Sequence, residues 1–267
     1  MKTTDDVSRS DLLPDGEEDP DFVRALARGL TVLEAFDADR PSMTLSEVAA
    51  RVGLTRGSTR RLLLTLAQLG YVGVDGSSFS LRPRVLRLGY GYLSALPVWT
   101  AARPVVEAVA AETGESCSVS VLDGTDIVYV VRAAARRIVN DYLAIGTRLP
   151  AYATSMGKVL LAALPEPELR RYLDSARMER LTATTLADGP ALLRALEETR
   201  RRGWAVNDEE IEPGLRSIAV GIPGGKGPAA AINVSVRASL VPVEALQDYL
   251  PPLRRAARSI GELLAAR

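Results

Sequence analysis

The sequence predicts an α+β protein in two domains joined by a helix. Three patterns carry that expectation. Two short stretches of helical period flank a tight turn between Thr44 and Tyr71; residues 71–82 then alternate as a hairpin; and from Val98 onward strand-like and helical runs follow in mixed order. At 267 residues the chain has the length of one large or two ordinary domains.

Residues 1–20 carry Asp5, Asp6, Asp11, Asp15, Glu17, Glu18 and Asp19 and almost no periodic hydrophobes, which predicts a disordered acidic tail. The first domain is expected over 21–82. Phe22, Leu26, Leu30, Leu33 and Phe36 fall at helical spacing. Leu45, Val48 and Ala49 give the next helix its apolar face, with Thr44 or Ser46 as cap, and Gly53 ends it in a sharp turn. Thr55 caps a third helix whose apolar positions are Leu62, Leu63, Leu66 and Leu69. Tyr71, Val72 and Val74 predict a strand, Asp75-Gly76 a turn, and Phe79 and Leu81 the return strand. Three helices and a two-stranded hairpin make a winged helix-turn-helix. Pro83 can open a linker helix over 83–97, with Val85, Leu86, Leu88, Tyr92 and Leu93 at helical period.

The second domain, 98–267, begins with a helix over Pro104–Glu112 and a hairpin turning at Asp123-Gly124. A third strand is expected over Ile138–Leu143, then helices over Thr154–Leu164, Glu166–Ser175 and Pro190–Arg202. Strands over Trp204–Asp208, Leu215–Ile222 and Ala229–Val236 follow, and a last helix from Val243 to about Ala265 is expected to break at Pro251-Pro252. This order suits an antiparallel sheet flanked by helices.

Composition narrows the chemistry. No histidine is present, which removes a Ser-His-Asp triad and every histidine metal site. The only lysines are Lys2, Lys158 and Lys226, and the only cysteine is Cys117, so no intrachain disulfide can form. No apolar run approaches the roughly 20 residues that span a bilayer, and no signal peptide is evident, so a cytoplasmic protein without a membrane partner is expected. The formal net charge is +0, which leaves room for a local basic face.

That face is in the first domain. Arg51, Arg56, Arg60, Arg61, Arg82, Arg84 and Arg87 crowd it, with Asp75 the only acid from Arg51 to Arg87. Arg56, Ser58, Thr59, Arg60 and Arg61 lie early on the third helix, and arginine forks and hydroxyls suit phosphates and base edges. The expected DNA contacts are Arg51, Thr55, Arg56, Ser58, Thr59, Arg60, Arg61, Thr65 and Arg82. Three other motifs have weaker claims. Ser155 to Lys158 matches S-x-x-K, but the partner motifs of a serine acyl-enzyme are missing, so a capped helix start is expected. Gly221 to Gly227 falls short of a phosphate loop and lies between strands, as a turn would. The carboxylates in Asn207–Glu212 read as a solvated turn rather than a metal site, and neither metal nor cofactor is expected.

Residues 22–267 resemble the IclR family of bacterial transcriptional regulators. The resemblance is carried by R-G-L-T-V-L-E-A-F, by L-S-E-V-A-A-R-V-G-L-T-R-G-S-T-R-R-L-L-L-T-L, by S-V-S-V-L-D-G-T-D-I-V-Y-V, by L-P-A-Y-A-T-S-M-G-K-V-L-L-A, by R-R-G-W-A-V-N-D-E-E-I-E-P-G-L-R-S-I-A and by A-A-I-N-V-S-V. E-S-C-S-V-S-V and Y-A-T-S-M-G resemble the branch that controls protocatechuate, 4-hydroxybenzoate and β-ketoadipate catabolism. The resemblance implies a GAF-like effector-binding domain, and dimers that often pair into tetramers on operator DNA. It places an effector site at Ser155, Met156, Gly157, Asn207, Leu215, Ser217, Asn233 and Ser235. Asn207 stands where the family often has aspartate, and Ser217 where it often has cysteine.

The expected protein is therefore a homodimer, or dimer of dimers, on pseudo-palindromic double-stranded DNA, switched by a small aromatic or dicarboxylic acid. A loop entering a helix at Ser155 would offer backbone N–H groups to the carboxylate. The alternatives are a second domain that only oligomerises, or an enzyme using Lys158 or the 207–212 carboxylates. On this reading Lys158→Ala leaves DNA binding intact.

Overall fold

The structure, a computed structural model, describes residues 21–95, 97–134, 143–224 and 228–266. The acidic tail and residues 138–142 of the expected third strand lie outside them. The chain divides into two compact units, Met1–Tyr92 and Leu93–Arg267.

In the first unit α1 (Arg24–Glu34), α2 (Leu45–Arg51) and α3 (Arg56–Gln68) pack around Val32, Leu33, Val48, Leu63 and Leu66. Thr44, rather than Ser46, caps α2. Its hydroxyl accepts the Glu47 N–H while the Glu47 carboxylate takes the Thr44 N–H at 2.7 Å. Those bonds hold the Glu47 carboxyl below the usual carboxylate range. Gly53 turns the chain at φ 64°, where a side chain would be strained. Thr55 then caps α3 by accepting the Ser58 N–H at 3.3 Å.

β1 (Ser42–Thr44), β2 (Val72–Asp75) and β3 (Ser78–Leu81) form an antiparallel sheet in the order β1-β3-β2. β1 was not foreseen, because three residues are too few to show alternation. It sets Met43 opposite Phe79, and both are buried. The hairpin turn sits one residue later than expected, at Gly76-Ser77, with Asp75 paired to Ser78 and Gly76 at φ 57°. A two-residue loop of this kind needs positive φ at its first position, so glycine takes that place and the aspartate ends the strand. The same shift recurs at Gly124. After a 3-10 turn at Pro83–Val85, α4 runs Leu86–Ala95.

The second unit is built on six antiparallel strands in the order β6-β5-β4-β9-β8-β7. They are β4 (Ser116–Asp123), β5 (Asp126–Ala133), β6 (Arg148–Pro150), β7 (Trp204–Asp208), β8 (Leu215–Pro223) and β9 (Pro228–Arg237). The helices are α5 (Pro97–Thr113), α6 (Ser155–Ala162), α7 (Glu166–Ser175), α8 (Gly189–Arg202) and α9 (Leu250–Ala265). Two boundaries differ from expectation. α5 begins at Pro97, with Pro104 inside it and Ala101, Ala102, Val106 and Val109 buried. The expected break near Pro251-Pro252 falls at Tyr249/Leu250, where a 3-10 helix over Val243–Tyr249 gives way to α9, and both prolines lie in the first turn of α9, where their missing N–H groups cost no helical bond.

Strand alternation decides where a site can be. On β9, Ile232, Val234 and Val236 join α5 and α9 in one apolar core, together with Cys117, Val119, Ile218 and Val220. Ala231, Asn233 and Ser235 point the other way, toward the side that α6 covers. Cys117 is therefore core, and burial pushes its thiol up to about 12. No helix among the described residues is long and apolar enough to cross a membrane.

Candidate functional site

Two surfaces compete for the functional role, one in each unit. On α3 the buried stripe is Thr59, Leu63 and Leu66, at i, i+4 and i+7. This corrects two expectations. Thr59 is fully buried, with its hydroxyl donating to the Thr55 carbonyl at 3.0 Å, so it cannot meet DNA. Leu69, assigned to the core, is half exposed at the end of α3. The outward side carries Arg56, Gly57, Arg60, Arg61, Leu64, Thr65 and Gln68. Ser58 is half-buried beside them.

At 100° per residue Arg61 lies near the centre of this outward side and Arg56 and Arg60 lie toward one flank. Thr65 points outward too, with its hydroxyl on the Arg61 carbonyl at 2.9 Å. Gly57 and Leu64 were not singled out from the sequence, although one leaves a gap and the other an apolar contact on the same side. Arg51 is corrected as well. Its guanidinium is tied to Asp37 at 2.5 Å, making it a brace from the end of α2 to the loop after α1. Arg82 is exposed past the wing, and its side chain lies across Gly73. Arg84 sits 5.3 Å from the centre of the Tyr71 ring.

In the second unit the face under α6 is lined by small polar side chains in register. One row across the sheet runs Arg132, Ser118, Asn233, Ala219 and Ala205; the next runs Ser116, Ser235, Ser217 and Asn207. Leu215 extends the second row's side of β8 and is half-buried. The start of α6 seats on these rows. Ser155 and Ser217 share a hydrogen bond of 2.7 Å, and the Ser120 hydroxyl donates to the Met156 sulfur at 3.2 Å. The Asn233 amide donates to Ser235 at 3.1 Å, while its Oδ1 is buried with no partner. Five of the eight expected effector residues, Ser155, Met156, Ser217, Asn233 and Ser235, thus converge.

The other three need comment. Leu215 is at the edge of the group. Asn207 spends its Oδ1 on the Glu210 N–H at 2.8 Å, so it closes the β7–β8 loop. Gly157 gives its N–H to Thr154 Oγ1 at 3.0 Å, and that donor is not available to a carboxylate. A Cβ at Gly157 would fall 2.1 Å from the Ala151 carbonyl oxygen, so the glycine is there for close packing.

The sequence reading missed Arg132 and Tyr129. Arg132 Nη1 lies 3.4 Å from Ser118 Oγ, and no carboxylate among the described residues pairs with its guanidinium. Burial pushes the Tyr129 phenol up to about 12, partly offset by the Arg132 charge, so it stays protonated at neutral pH. The available signal was the alternation of β5, which sets Arg132 opposite Ser118 once the hairpin register is known.

The carboxylates of Asn207–Glu212 are not a solvated cluster. Asp208 and Glu209 pair with Arg216 at 2.5 and 3.2 Å. Glu210 is buried against Lys158, whose Nζ also donates to the Val206 carbonyl at 3.0 Å. Burial pushes Lys158 down and Glu210 up, each partly countered by the other's charge.

A helix-turn-helix with a basic outward face, in a chain whose second unit buries rows of small polar side chains under α6, defines a DNA-binding transcriptional regulator rather than an enzyme. Residues 25–76 match the IclR helix-turn-helix domain and residues 90–262 match the bacterial transcriptional regulator IclR C-terminal domain. The chain belongs to the IclR family. It is 41% identical over 245 residues to the Pca regulon regulatory protein of Pseudomonas putida, covering 91% of this chain and 84% of that one. Among solved structures it is similar to the transcriptional regulator RHA06195 of Rhodococcus sp. RHA1, with 47% identity and a TM-score of 0.81 over 92% of this chain and 99% of that one. It is also similar to an IclR homolog from Microbacterium hydrocarbonoxydans complexed with 4-hydroxybenzoate, with 28% identity and a TM-score of 0.79 over 91% and 100% of the two chains.

Proposed function

We propose that this regulator senses a small aromatic acid on the α6-covered face of its second unit and controls genes of aromatic-compound catabolism from the cytoplasm. The convergence of Ser155, Met156, Ser217, Asn233 and Ser235 around a buried, unpartnered acceptor is the observation that carries the proposal. The Pca regulon relative and the 4-hydroxybenzoate complex support the ligand class. Millimolar 4-hydroxybenzoate or protocatechuate should raise the melting temperature of the wild type but not of Ser155→Trp, since an indole would block the α6-covered face beside Ser217. A ligand at 100 times its Kd stabilises by about 2.7 kcal/mol. A broad panel of aromatic and dicarboxylic acids without any shift would overturn the proposal in favour of a second unit that only oligomerises.

On the DNA side, Arg56, Arg60, Arg61, Thr65 and Arg82 are the proposed contacts, with Thr55 and Ser58 setting the start of α3. Arg61→Ala should weaken operator binding about ten- to a hundredfold in a mobility-shift titration, more than Arg60→Ala does, because Arg61 is the more central. If Arg61 reads a base, the loss will be confined to the cognate sequence. Equal binding by wild type and by the Arg60→Ala/Arg61→Ala double variant would show that α3 is not the recognition helix.

A homodimer would use a different surface of the first unit. Phe22, Val23, Leu26 and Leu30 near and along α1, and Leu86, Leu88, Tyr90 and Tyr92 on α4, are exposed apolar side chains in one unit. A second copy would cover them and present paired winged helices to a pseudo-palindromic site, singly or as a dimer of dimers.

A further inference from the structure

We propose that residues 1–20 dock on the outward side of α3 and compete there with DNA, so that the chain carries its own mimic of the phosphate backbone. The proposal rests on the reading of α3 as the DNA-contact face given above.

Charge is segregated along the first part of the chain. From Arg51 to Arg87 seven arginines stand against Asp75 alone, a net charge of +6. Residues 1–20 hold seven acids against Lys2 and Arg9, a net charge of −5. Each stretch is nearly the other's complement. Placement matters as much as the totals. Arg56, Arg60 and Arg61 are exposed on the outward side of α3, and no carboxylate among the described residues pairs with them, whereas Arg51 is already tied to Asp37. Leu64 is 41% exposed amid these arginines, one turn on from Arg60 and Arg61. The acidic stretch has a matching order, with Leu12-Leu13 set between Asp11 and Asp15. Repulsion of DNA would need the acids alone. The leucine pair within them fits a surface on which guanidinium groups surround an exposed leucine.

Reach does not limit the contact. Asp11 is followed by ten residues up to Asp21, and ten residues extend to at most about 36 Å. α1 has 11 residues, about 16 Å of helix. It shares one core with α3, and packed helix axes lie about 10 Å apart. A segment tethered so closely competes at an effective concentration of the order of millimolar. Exposed ion pairs are individually weak and screened by salt, so docking acts as a salt-sensitive brake and not a block.

The test is fluorescence anisotropy of a labelled random-sequence DNA duplex, titrated with the full chain and with the chain lacking residues 1–20. Removing them should tighten binding about three- to tenfold at about 50 mM salt, and the two curves should converge as salt rises. Leu12→Ser with Leu13→Ser keeps every charge and should give part of that gain, about twofold or more. In the Arg60→Ala/Arg61→Ala background the deletion should lose most of its effect. If the shortened chain does not fold, full-length Asp15→Asn/Glu17→Gln/Glu18→Gln/Asp19→Asn takes its place with the same expected sign. Unchanged affinity on deletion or neutralisation would overturn the inference. So would a gain that is absent from the leucine variant and persists in the arginine background, because that is repulsion without docking. If Arg60→Ala/Arg61→Ala binds the duplex as tightly as wild type, the α3 reading fails first, and this inference with it.

Discussion

Lys158→Ala should destabilise the second unit by about 3–5 kcal/mol, the usual cost of stranding one member of a buried ion pair. For a unit of this size that is a fall of roughly 6–20 °C in melting temperature. The sequence alone offers Lys158 as the lysine of a weak S-x-x-K match and reads the 207–212 carboxylates separately, as a solvated turn. The structure places it at 3% exposure against Glu210 at 6%, with Nζ bonded to both the carboxylate and the Val206 carbonyl. This pair fixes the first turns of α6 to the β7–β8 loop. Thr185 holds the same loop through the Glu210 carbonyl at 2.7 Å, and Thr182 through the Glu209 carbonyl at 2.7 Å.

Direction with pH separates a stranded charge from a mere cavity. Burial raises the Glu210 carboxyl above its ordinary value of 4.5, and removing Lys158 takes away the charge that opposes the rise. A folded-state pKa above the unfolded one means that the native state takes up the proton first. Its contribution is then fully present below about 4.5 and lost as pH rises through the folded value. The deficit of Lys158→Ala should therefore shrink on going from pH 8 toward pH 5, whereas a cavity would cost the same at both. Because both charges are desolvated, Lys158→Met with Glu210→Met should recover much of the loss. A pH-independent deficit, or a double variant no better than the single one, would remove the ion pair as the cause. Operator binding measured well below the new melting point should survive, since α3 belongs to the other unit.

Most of the fold was legible because its signals are local. The hairpins announce themselves through Asp-Gly steps, β7 and α7 were bounded by their own alternation and period, and Thr55 and Gly53 mark the turn before α3. Errors arose where partners are far apart in sequence. Thr59 looked like a DNA contact because its type suits one, yet the stripe formed with Leu63 and Leu66 turns it inward. Arg51 looked free because Asp37 lies before the basic stretch. Glu210 looked solvated because its cation comes 52 residues earlier. The proposed effector residues of β8 and β9 came from the family resemblance, strand parity adding only that Asn233 and Ser235 share a face, and Arg132 needed the β4–β5 register, which no local pattern fixes.

Gly157→Ala shows how far context can reverse a propensity. In an exposed helix the change stabilises by about 0.8–1.0 kcal/mol. Gly57 on α3 meets that condition, with nothing within 4 Å of an added Cβ, so Gly57→Ala should stabilise the first unit slightly. At Gly157 the added carbon would lie 2.1 Å from the Ala151 oxygen, 2.5 Å from its Cα and 2.6 Å from its carbonyl carbon. All three are backbone atoms of the 3-10 turn Ala151–Ala153, whose side chains are buried, so no side chain can swing aside. Either α6 or that turn must move by about an ångström. Overpacking a well-filled core costs about 1–3 kcal/mol and occasionally more, and a rigid backbone contact belongs at the top of that range. The expected outcome in a thermal melt is a loss of about 3 kcal/mol in the second unit. A shift of α6 would also break the Ser155–Ser217 bond and lift Met156 from Ser120, so the acid-induced rise in melting temperature should disappear with it. A Gly157→Ala variant as stable as wild type and still responsive to acid would mean that α6 is free to slide, and that its start is not the wall of the effector site.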